Sequence, residues 1–167
     1  DWLKVAAMIG DLTVDLASDG TGSGDMAGAG SFLEIADGTV LENVVTGDGV
    51  DIVFGNDDAN EIYGMRGADQ LWAGDGDDFI VGGAGDDLLT GGAGNDTFAF
   101  DVGSGFDTIT DFTAGAGTDD VLQLALGTSY VVSELDGDAW IDFGLGNGVV
   151  LTGVESTMLH DDDFAFV

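Results

Sequence analysis

Hydrophobic residues recur every nine positions between residues 46 and 99. Cut at this period, the segment gives six consecutive units, TGDGVDIVF, GNDDANEIY, GMRGADQLW, AGDGDDFIV, GGAGDDLLT and GGAGNDTFA. The seventh to ninth places are rich in the branched and aromatic residues that favour strands. Because successive side chains of a strand point to opposite faces, a three-residue strand turns only its middle residue inward. The pattern predicts a core of the apolar eighth-place residues, Val53, Ile62, Leu71, Ile80, Leu89 and Phe98.

The first six places of each unit are rich in Gly, Asp and Asn, which favour tight turns. A short strand followed by such a turn, repeated, winds the chain into a coil, and two units of nine residues complete one coil of 18. The strands then alternate between two parallel sheets. We predict an all-β fold: a right-handed parallel β-roll (a β-helix solenoid) of nonapeptide repeats, with an N-terminal strand cap and a C-terminal antiparallel β cap.

The segments that flank the repeats carry shorter strand-like patterns. Residues 11–16 alternate polar and apolar, 31–45 have the composition of two more strands, and 18–30 between them are predicted to form a flexible loop. After the repeats, turn sequences separate four apolar runs, which predict short antiparallel strands: DVLQLAL, SYVVSEL, AWIDFG and GVVLTGV. We expect little or no helix beyond a short turn at 161–163. The chain is expected to be a single domain, 1–167, with N-terminal capping strands (1–45), a roll (46–110) and a C-terminal β cap (111–167).

The sixth place holds an acidic or amide residue in every unit. Because two units complete a coil, every second sixth-place side chain lies on the same edge of the stack and faces backbone carbonyls of the next turn. Ca²⁺ takes six to eight oxygens from carboxylates and carbonyls, whereas Mg²⁺ demands a tighter octahedron. The sequence therefore predicts calcium ligands at Asp69, Asp78, Asp87, Asp96 and Asp51. Glycines at the second and fourth places are predicted to let the carbonyls point into these sites: Gly74, Gly76, Gly83, Gly85, Gly92 and Gly94.

Several positions depart from this pattern, and two of them are at candidate ligand positions. Asn60 replaces the carboxylate of the second unit, which predicts a weak or empty site there. A further degenerate unit at 102–110 places Asp107 at its sixth position, but Phe100 and Asp101 interrupt the register before it. A single Asp- and Gly-rich run would equally fit a solvated loop. Six consecutive units with apolar residues at every eighth place favour the folded roll instead.

The charge of the chain points to the same cation. The chain has 33 Asp and Glu but 2 Lys and Arg, and a formal net charge of −31. Self-repulsion of this size keeps a metal-free chain expanded, so folding requires a cation from outside, and we expect roughly three to five Ca²⁺ ions. The scarcity of basic residues argues against binding to nucleic acid and to anionic membranes. The chain contains no cysteine for a disulfide or a zinc–thiolate site, and no apolar run long enough for stable membrane insertion.

The sequence offers no set of catalytic residues. Its single histidine, His160, stands in an acidic segment, and no HExxH motif or Ser–His–Asp set is present. We therefore expect that the chain is not an enzyme and that any catalytic domain lies outside it. Three tryptophans, Trp2, Trp72 and Trp140, are candidate platforms for a sugar, although packing within strands or caps explains them as well.

Units 82–90 and 91–99 resemble the nonapeptide repeat of the RTX family. Residues 35–64 are similar to the lead-in of serralysin-type C-terminal domains, and 106–124 to the segment that follows an RTX roll. The resemblance implies a module of a larger protein, secreted by a Gram-negative bacterium through a type I system, that folds on Ca²⁺ outside the cell. The alternative it implies is a calcium-dependent polysaccharide-binding or adhesive module, as in alginate epimerases. We expect a monomer.

The two ends of the chain bear on export. The acidic and apolar tail at 161–167 resembles an uncleaved type I secretion signal, and a final docked strand is the alternative interpretation. The two interpretations are compatible, since a signal read before folding can pack afterwards. Residues 1–9 do not have the pattern of a signal peptide, so we expect the chain to be a fragment or a processed product.

Overall fold

A computed structural model describes residues 2–4, 10–16, 41–115 and 120–167 of the chain. The predicted loop at 18–30 and the first part of the strands expected in 31–45 lie outside these residues. Within them the fold is all-β. The strands are β1 (Trp2–Lys4), β2 (Thr13–Asp15), β3 (Asn43–Val45), β4 (Ile52–Phe54), β5 (Glu61–Tyr63), β6 (Gln70–Asp75), β7 (Phe79–Val81), β8 (Leu88–Ala93), β9 (Thr97–Phe100), β10 (Phe106–Ile109), β11 (Val121–Leu124), β12 (Val131–Leu135), β13 (Asp138–Gly144), β14 (Asn147–Leu151) and β15 (Phe164–Phe166).

Alternate strands of the repeats belong to opposite sheets, as the nine-residue period predicts. One sheet has the order β1-β3-β5-β7-β9-β11-β15, and the other has the order β12-β13-β14-β10-β8-β6-β4-β2. From β2 to β11 the neighbouring strands are parallel, and the paired residues of the repeats are 18 positions apart, for example Ile62 with Ile80 and Leu71 with Leu89. The all-β fold with parallel sheets is confirmed.

The core lies between the two sheets and follows the eighth place. Each predicted core residue of the six units is fully buried, with 0 % of its surface exposed: Val53, Ile62, Leu71, Ile80, Leu89 and Phe98. The column continues beyond the repeats through Val44 on one side and Ile109 and Leu122 on the other. A single hydrophobic column therefore runs through the stacked coils, and it holds the turns on both sides at fixed positions.

The C-terminal strands extend the roll more than the sequence predicted. Only β12, β13 and β14 pair with one another in the expected antiparallel way. β14 continues the eight-stranded sheet as a parallel neighbour of β10, and β15 continues the seven-stranded sheet as a parallel neighbour of β11. The hairpin from β12 to β14 returns the chain to the open edge of β10, where the backbone N–H of Gly148 donates to the carbonyl of Gly105 over 2.9 Å.

Helical structure in the described residues is confined to two 3₁₀ turns, Ser156–Met158 and Asp161–Asp163. The second coincides with the turn expected at 161–163, and it is followed directly by β15, the last strand of the seven-stranded sheet. None of the helical segments in the described ranges has the length and apolar character needed to cross a bilayer.

Candidate metal sites

Sixth-place residues of successive coils are joined along what we call the first edge, formed by Asp51, Asp69, Asp87 and Asp107. The backbone N–H of Asp51 donates to Oδ1 of Asp69 over 2.8 Å, and that of Asp69 donates to Oδ1 of Asp87 over 2.8 Å. The series continues from Asp87 to Oδ1 of Asp107 over 3.0 Å. Asp107, whose register the sequence left in doubt, therefore belongs to the first edge.

The second edge consists of Asn60, Asp78, Asp96 and Asp120 and is built in the same way. Backbone N–H groups donate from Asn60 to Oδ1 of Asp78 over 2.7 Å and from Asp78 to Oδ1 of Asp96 over 3.0 Å. Asp96 then donates to Oδ1 of Asp120 over 2.9 Å. Asp120 was not predicted from the sequence, because it lies 24 residues after Asp96 and outside the nine-residue pattern. The strand-forming segment Val121–Leu124 directly after Asp120 is the sequence feature that could have indicated this position.

In five aspartates of the two edges, Oδ1 is used for stacking while Oδ2 is left without a partner. Five aspartates have a buried Oδ2 that makes no hydrogen bond: Asp69, Asp78, Asp87, Asp96 and Asp107. Their side chains are at most 3 % exposed. A carboxylate buried without a compensating donor or cation is strongly unfavourable, so such groups in native proteins are paired or bind metal. The donor set fits Ca²⁺, which prefers oxygen ligands and tolerates irregular geometry.

The pKa values of these carboxyls reflect the free-energy cost of burying a charged carboxylate. Burial raises the pKa of Asp69 and Asp78 to about 7 and that of Asp87 and Asp96 to about 6, well above the ordinary value of 3.8. Burial also raises the pKa of Asp107 to about 8, although the neighbouring Ser104 side chain acts to lower it. Hydrogen bonds from the backbone oppose each rise but do not cancel it. Burial of these carboxyls, without a cation beside them, therefore disfavours the charged form that binds a metal ion.

First-place glycines shape the space around each unpartnered oxygen. A Cβ on Gly64 would lie 2.4 Å from Oδ2 of Asp69 and 2.5 Å from the carbonyl oxygen of Gly82, both far inside van der Waals contact. The carboxylate and the carbonyl of the next coil therefore converge on one point. The first-place glycines of units 82–90 and 91–99 lie in the same way against the carboxylates of their own units. These first-place glycines were not among the predicted site residues, although their recurrence in the repeat is the signal that marks them.

The six predicted site glycines all adopt left-handed backbone conformations, with φ between +104° and +152°. A Cβ at Gly85 would lie 1.5 Å from the carbonyl oxygen of Gly67, and one at Gly94 would lie 1.8 Å from that of Gly76. These positions therefore let successive turns stack closely, backbone on backbone. Whether the carbonyls of Gly74, Gly76, Gly83, Gly85, Gly92 and Gly94 also bind calcium stays a prediction.

Three residues of the two edges, Asp51, Asn60 and Asp120, differ, because both of their side-chain polar atoms have partners in the protein. Oδ1 of Asp51 accepts from the backbone of Leu12 over 2.9 Å, and its Oδ2 accepts from Gly47 over 3.3 Å. The amide of Asn60 pairs twice with the neighbouring Asn56, and Asp120 accepts from Thr113 over 2.7 Å with its second oxygen. The role of Asp51 as a ligand stays a prediction, and its geometry sets it apart from the five aspartates above.

In the described residues, no group of three or more His, Cys, Asp and Glu side chains converges in the way a metal site built from side chains would require. The unpartnered carboxylate oxygens are instead distributed singly along the two edges, at Asp69, Asp87 and Asp107 on the first and at Asp78 and Asp96 on the second. An ion at such a position would receive one or two carboxylate oxygens and would take its other ligands from backbone carbonyls of the turns.

Comparison with known proteins agrees with this geometry. Residues 45–80 and 72–109 match a family model of four copies of the RTX calcium-binding nonapeptide repeat. Residues 45–109 are RTX calcium-binding repeats. The RTX repeats bind calcium, so the ion expected from the carboxylate pattern is the one that this family takes. These repeats are a binding element and not a catalytic one. No curated protein matches the chain in sequence.

Two solved structures share the fold of this chain. The extracellular lipase LipA from Serratia marcescens is 24 % identical with a TM-score of 0.62, and the match covers 86 % of this chain. It covers 24 % of the lipase, so the chain spans about a quarter of that protein. A subunit of the mannuronan C5-epimerase from Azotobacter vinelandii is 26 % identical with a TM-score of 0.57, and the match covers 81 % of this chain and 85 % of the subunit.

Proposed function

We propose that this chain, which we call the RTX module, is a calcium-gated folding unit of a larger secreted protein. The observation that carries the proposal is the buried, unpartnered Oδ2 of Asp69, Asp78, Asp87 and Asp96. When bound, calcium supplies the positive charge and the oxygen-coordinating centre that these carboxylates lack. In the folded state the backbone contacts between the sixth places position each carboxylate, and the ion offsets its charge.

Without calcium, the chain has no means of offsetting its own charge. The formal net charge is −31, and the two basic side chains are both used at the surface: Arg66 pairs with Asp48 over 3.2 Å, and Lys4 lies 5.0 Å from the ring centre of Trp2. Folding would then bury several like charges in two rows. We infer that the metal-free chain is expanded at neutral pH.

The free energy available from calcium binding is comparable with the free energy that stabilises a folded domain. A ligand that binds only the folded state stabilises it by RT ln(1 + [L]/Kd), about 2.7 kcal/mol per site at a hundredfold excess. Extracellular calcium modules bind at roughly 10⁻⁴–10⁻³ M. Several sites at a smaller excess would together supply an energy comparable with the roughly 5–15 kcal/mol that stabilises an ordinary domain. Folding is therefore gated by the calcium concentration and cooperative along the stack.

Folding that depends on calcium is compatible with export of an unfolded chain. We propose that the parent protein leaves a Gram-negative cell unfolded through a type I system, which reads the C-terminal tail, and that the RTX module folds as a monomer outside. The lipase that shares the fold is an extracellular protein, which supports an extracellular address. Folding outside would hinder the chain from sliding back. An export rate that is unchanged in calcium-free medium would contradict this part of the proposal.

Circular dichroism during a calcium titration tests the folding proposal directly, with magnesium at the same concentrations as the control. We expect a disordered spectrum in chelator, β-structure in calcium, and little response to magnesium, which demands a tighter octahedron than these edges offer. A full β-spectrum in excess chelator at neutral pH would refute the proposal.

A second candidate function is calcium-dependent binding of a polysaccharide. Phe54 and Trp72 stack on the outer face of the eight-stranded sheet, with ring centres 5.0 Å apart and planes 12° apart, and Phe54 is 41 % exposed. The epimerase subunit that shares the fold belongs to an enzyme acting on mannuronan. Polyanionic sugars usually meet Lys and Arg, which this chain nearly lacks, so calcium would have to bridge the carboxylates.

A glycan-binding assay in calcium and in chelator separates the two functions. If the module binds polysaccharide through this pair, Trp72→Ala weakens retention while Leu126→Ala, at an exposed apolar side chain elsewhere, leaves it unchanged. No retention of any glycan by the calcium-folded protein would leave the folding function standing and remove the binding one.

A further inference from the structure

Three adjoining cavities on the surface of the roll share one residue, Asp101. The largest has a volume of about 410 Å³ and lies over the outer face of β5, β7, β9 and β11. The other two have volumes of about 300 and 210 Å³. Phe100 and Leu124 line both the first and the second cavity, and Val102 lines both the second and the third. The three cavities are therefore parts of one groove, which we call the Asp101 groove.

The interruption of the repeat register places this carboxylate in the groove. Phe100 and Asp101 are the two residues inserted after the unit 91–99. Phe100 is buried, with its ring centre 5.6 Å from that of Phe143, whereas Asp101 is exposed. Two small residues, Gly83 and Ala99, line the largest cavity together with Asp101. The first inserted residue thus anchors the chain in the core, and the second presents a carboxylate to the groove.

Two apolar residues of the groove wall have an uncommon backbone conformation. Met65 has φ +74° and Leu145 has φ +58°, and their side chains are 45 % and 94 % exposed. Positive φ is uncommon for residues other than glycine, and turns that need it favour Gly, Asn and Asp. In the described ranges the third non-glycine residue with positive φ is Asp136, which is a usual turn residue. The chain therefore places long apolar side chains along the groove against the preference of the backbone.

Aromatic side chains line the groove on the side away from the inserted residues. Tyr63 on β5 and Phe79 on β7 both line the largest cavity, with ring centres 6.1 Å apart. Asp101 directly follows β9, which is two strands away from β5 in the sheet. Because neighbouring strands lie about 4.8 Å apart, the carboxylate and the ring of Tyr63 are separated by roughly 10 Å. One small molecule can therefore contact both.

Asp101 is the one charged side chain among the residues that line the three cavities. Within the described part of the chain, no hydrogen bond or ion pair involves its carboxylate. The two basic side chains of the protein lie elsewhere, Arg66 with Asp48 and Lys4 over Trp2. The formal net charge of −31 attracts cations to the surface and repels anions. A ligand that suits the groove therefore has a positive charge and an apolar body.

We propose that the Asp101 groove binds a small amphiphilic amine, whose ammonium group pairs with Asp101 while its apolar body packs against Met65 and Phe79. Sites for small molecules typically have volumes of roughly 300–1,000 Å³ and apolar walls with a few polar groups, and the largest cavity lies within this range. Methionine adapts to varied apolar shapes, and aromatic faces attract cations. No sixth-place residue lines the groove, so the proposal goes beyond calcium binding and adds a second class of ligand.

An NMR titration of the full chain, folded in saturating calcium, tests the proposal with 4-phenylbutylamine. Two matched probes have the same apolar body, 4-phenylbutanol without charge and 4-phenylbutyrate with a negative charge. We expect the amine to give saturable shifts at the backbone amides of Gly83, Ala99 and Asp101. The alcohol should bind about fivefold more weakly, since it lacks the ion pair, and the acid should give no saturable shift.

Two variants separate the charge from the cavity. Asp101→Asn should weaken binding of the amine about fivefold and leave binding of the alcohol unchanged. Ala99→Phe fills the largest cavity and should abolish binding of both. Matched controls are Asp57→Asn, at an exposed carboxylate of the second unit, and Thr90→Phe, at the same ninth place on the opposite sheet. Both controls should bind the amine as the wild type does, and circular dichroism in calcium confirms that each variant is folded.

Four results would overturn the proposal. The first is the absence of saturable shifts at the groove amides with the amine. The second is equal affinity of the wild type for the amine and the alcohol, because Asp101 would then contribute nothing. The third is an equal loss of affinity in Asp101→Asn and Asp57→Asn, since the general charge would then be responsible. The fourth is tighter binding of acetyl-phenylalanyl-lysine amide than of the amine, which would assign the groove to a peptide segment of a protein instead.

Discussion

The backbone N–H of Asp69 donates to Oδ1 of Asp87, 2.8 Å away and 18 residues later in the chain, while Oδ2 of Asp87 stays buried without a hydrogen-bond partner. The two oxygens of one carboxylate thus have different tasks. Oδ1 stacks one coil on the next, and Oδ2 is the oxygen that we propose to bind calcium. Under the proposed function, this division lets a roll with many carboxylates have a defined geometry along its edges and still depend on metal for its stability.

Replacing Asp87 by asparagine should separate these tasks. In Asp87→Asn the acceptor for Asp69 remains, but the charge that attracts calcium is gone. We expect the calcium midpoint of folding, followed by circular dichroism, to rise about tenfold or more. Stability in chelator should not fall, since a buried charge has been removed.

Asp57→Asn is the matched control, because it removes one charge from an exposed side chain of the second unit and leaves both edges intact. A midpoint that moves equally in the two variants would show that net charge, and not the buried position, sets the calcium requirement.

Acid should partly replace calcium. Burial raises the pKa of Asp69 and Asp78 to about 7 in the metal-free fold, against 3.8 for an ordinary aspartate. Between about pH 4 and pH 7 the folded state then binds more protons than the unfolded state, so stability rises as the pH falls through this window. The contribution is fully present below the unfolded pKa and is lost as the pH rises through the folded one. In chelator, we expect more β-structure at pH 5 than at pH 7.5.

Salt is the control for the acid experiment. High NaCl at pH 7.5 screens the exposed charges without protonating the buried ones. If salt alone restored as much β-structure as pH 5, the general repulsion of the chain and not the buried carboxyls would be responsible for the calcium requirement.

The stacking glycines should be far less replaceable than other glycines of similar conformation. Gly85 has φ +146°, and a Cβ there would lie 1.5 Å from the carbonyl oxygen of Gly67. Gly137 has φ +95° but open space around it. We expect Gly137→Ala to cost about 1–2 kcal/mol from backbone strain and Gly85→Ala to cost upwards of about 4 kcal/mol. Urea denaturation in saturating calcium measures both, and equal costs would contradict the role of Gly85 in stacking.

The column of eighth-place residues should dominate the stability of the calcium-loaded roll. Leu89 is fully buried in this column, and Leu126 is 77 % exposed. Leu89→Ala should lower the free energy of unfolding by about 2–5 kcal/mol, whereas Leu126→Ala should stay within about 0.5 kcal/mol. The comparison is made by urea denaturation at fixed calcium. A small effect of Leu89→Ala would mean that calcium, and not core packing, holds the coils together.

The nine-residue period was enough to predict the roll, its two parallel sheets and the inward position of each eighth-place residue, because strand alternation and tight turns act within a single unit. The same local rule placed Asp69, Asp78, Asp87 and Asp96 on two edges. Only the tertiary structure decided which carboxylate oxygens remain without a partner, because the groups that satisfy Asp51 come from Leu12 and Gly47, and the first of these lies 39 residues away. It also brought Asp107 and Asp120 onto the edges and made β14 and β15 parallel to the roll. Those placements depend on hydrogen bonds between coils across loops of irregular length, and no local period records them.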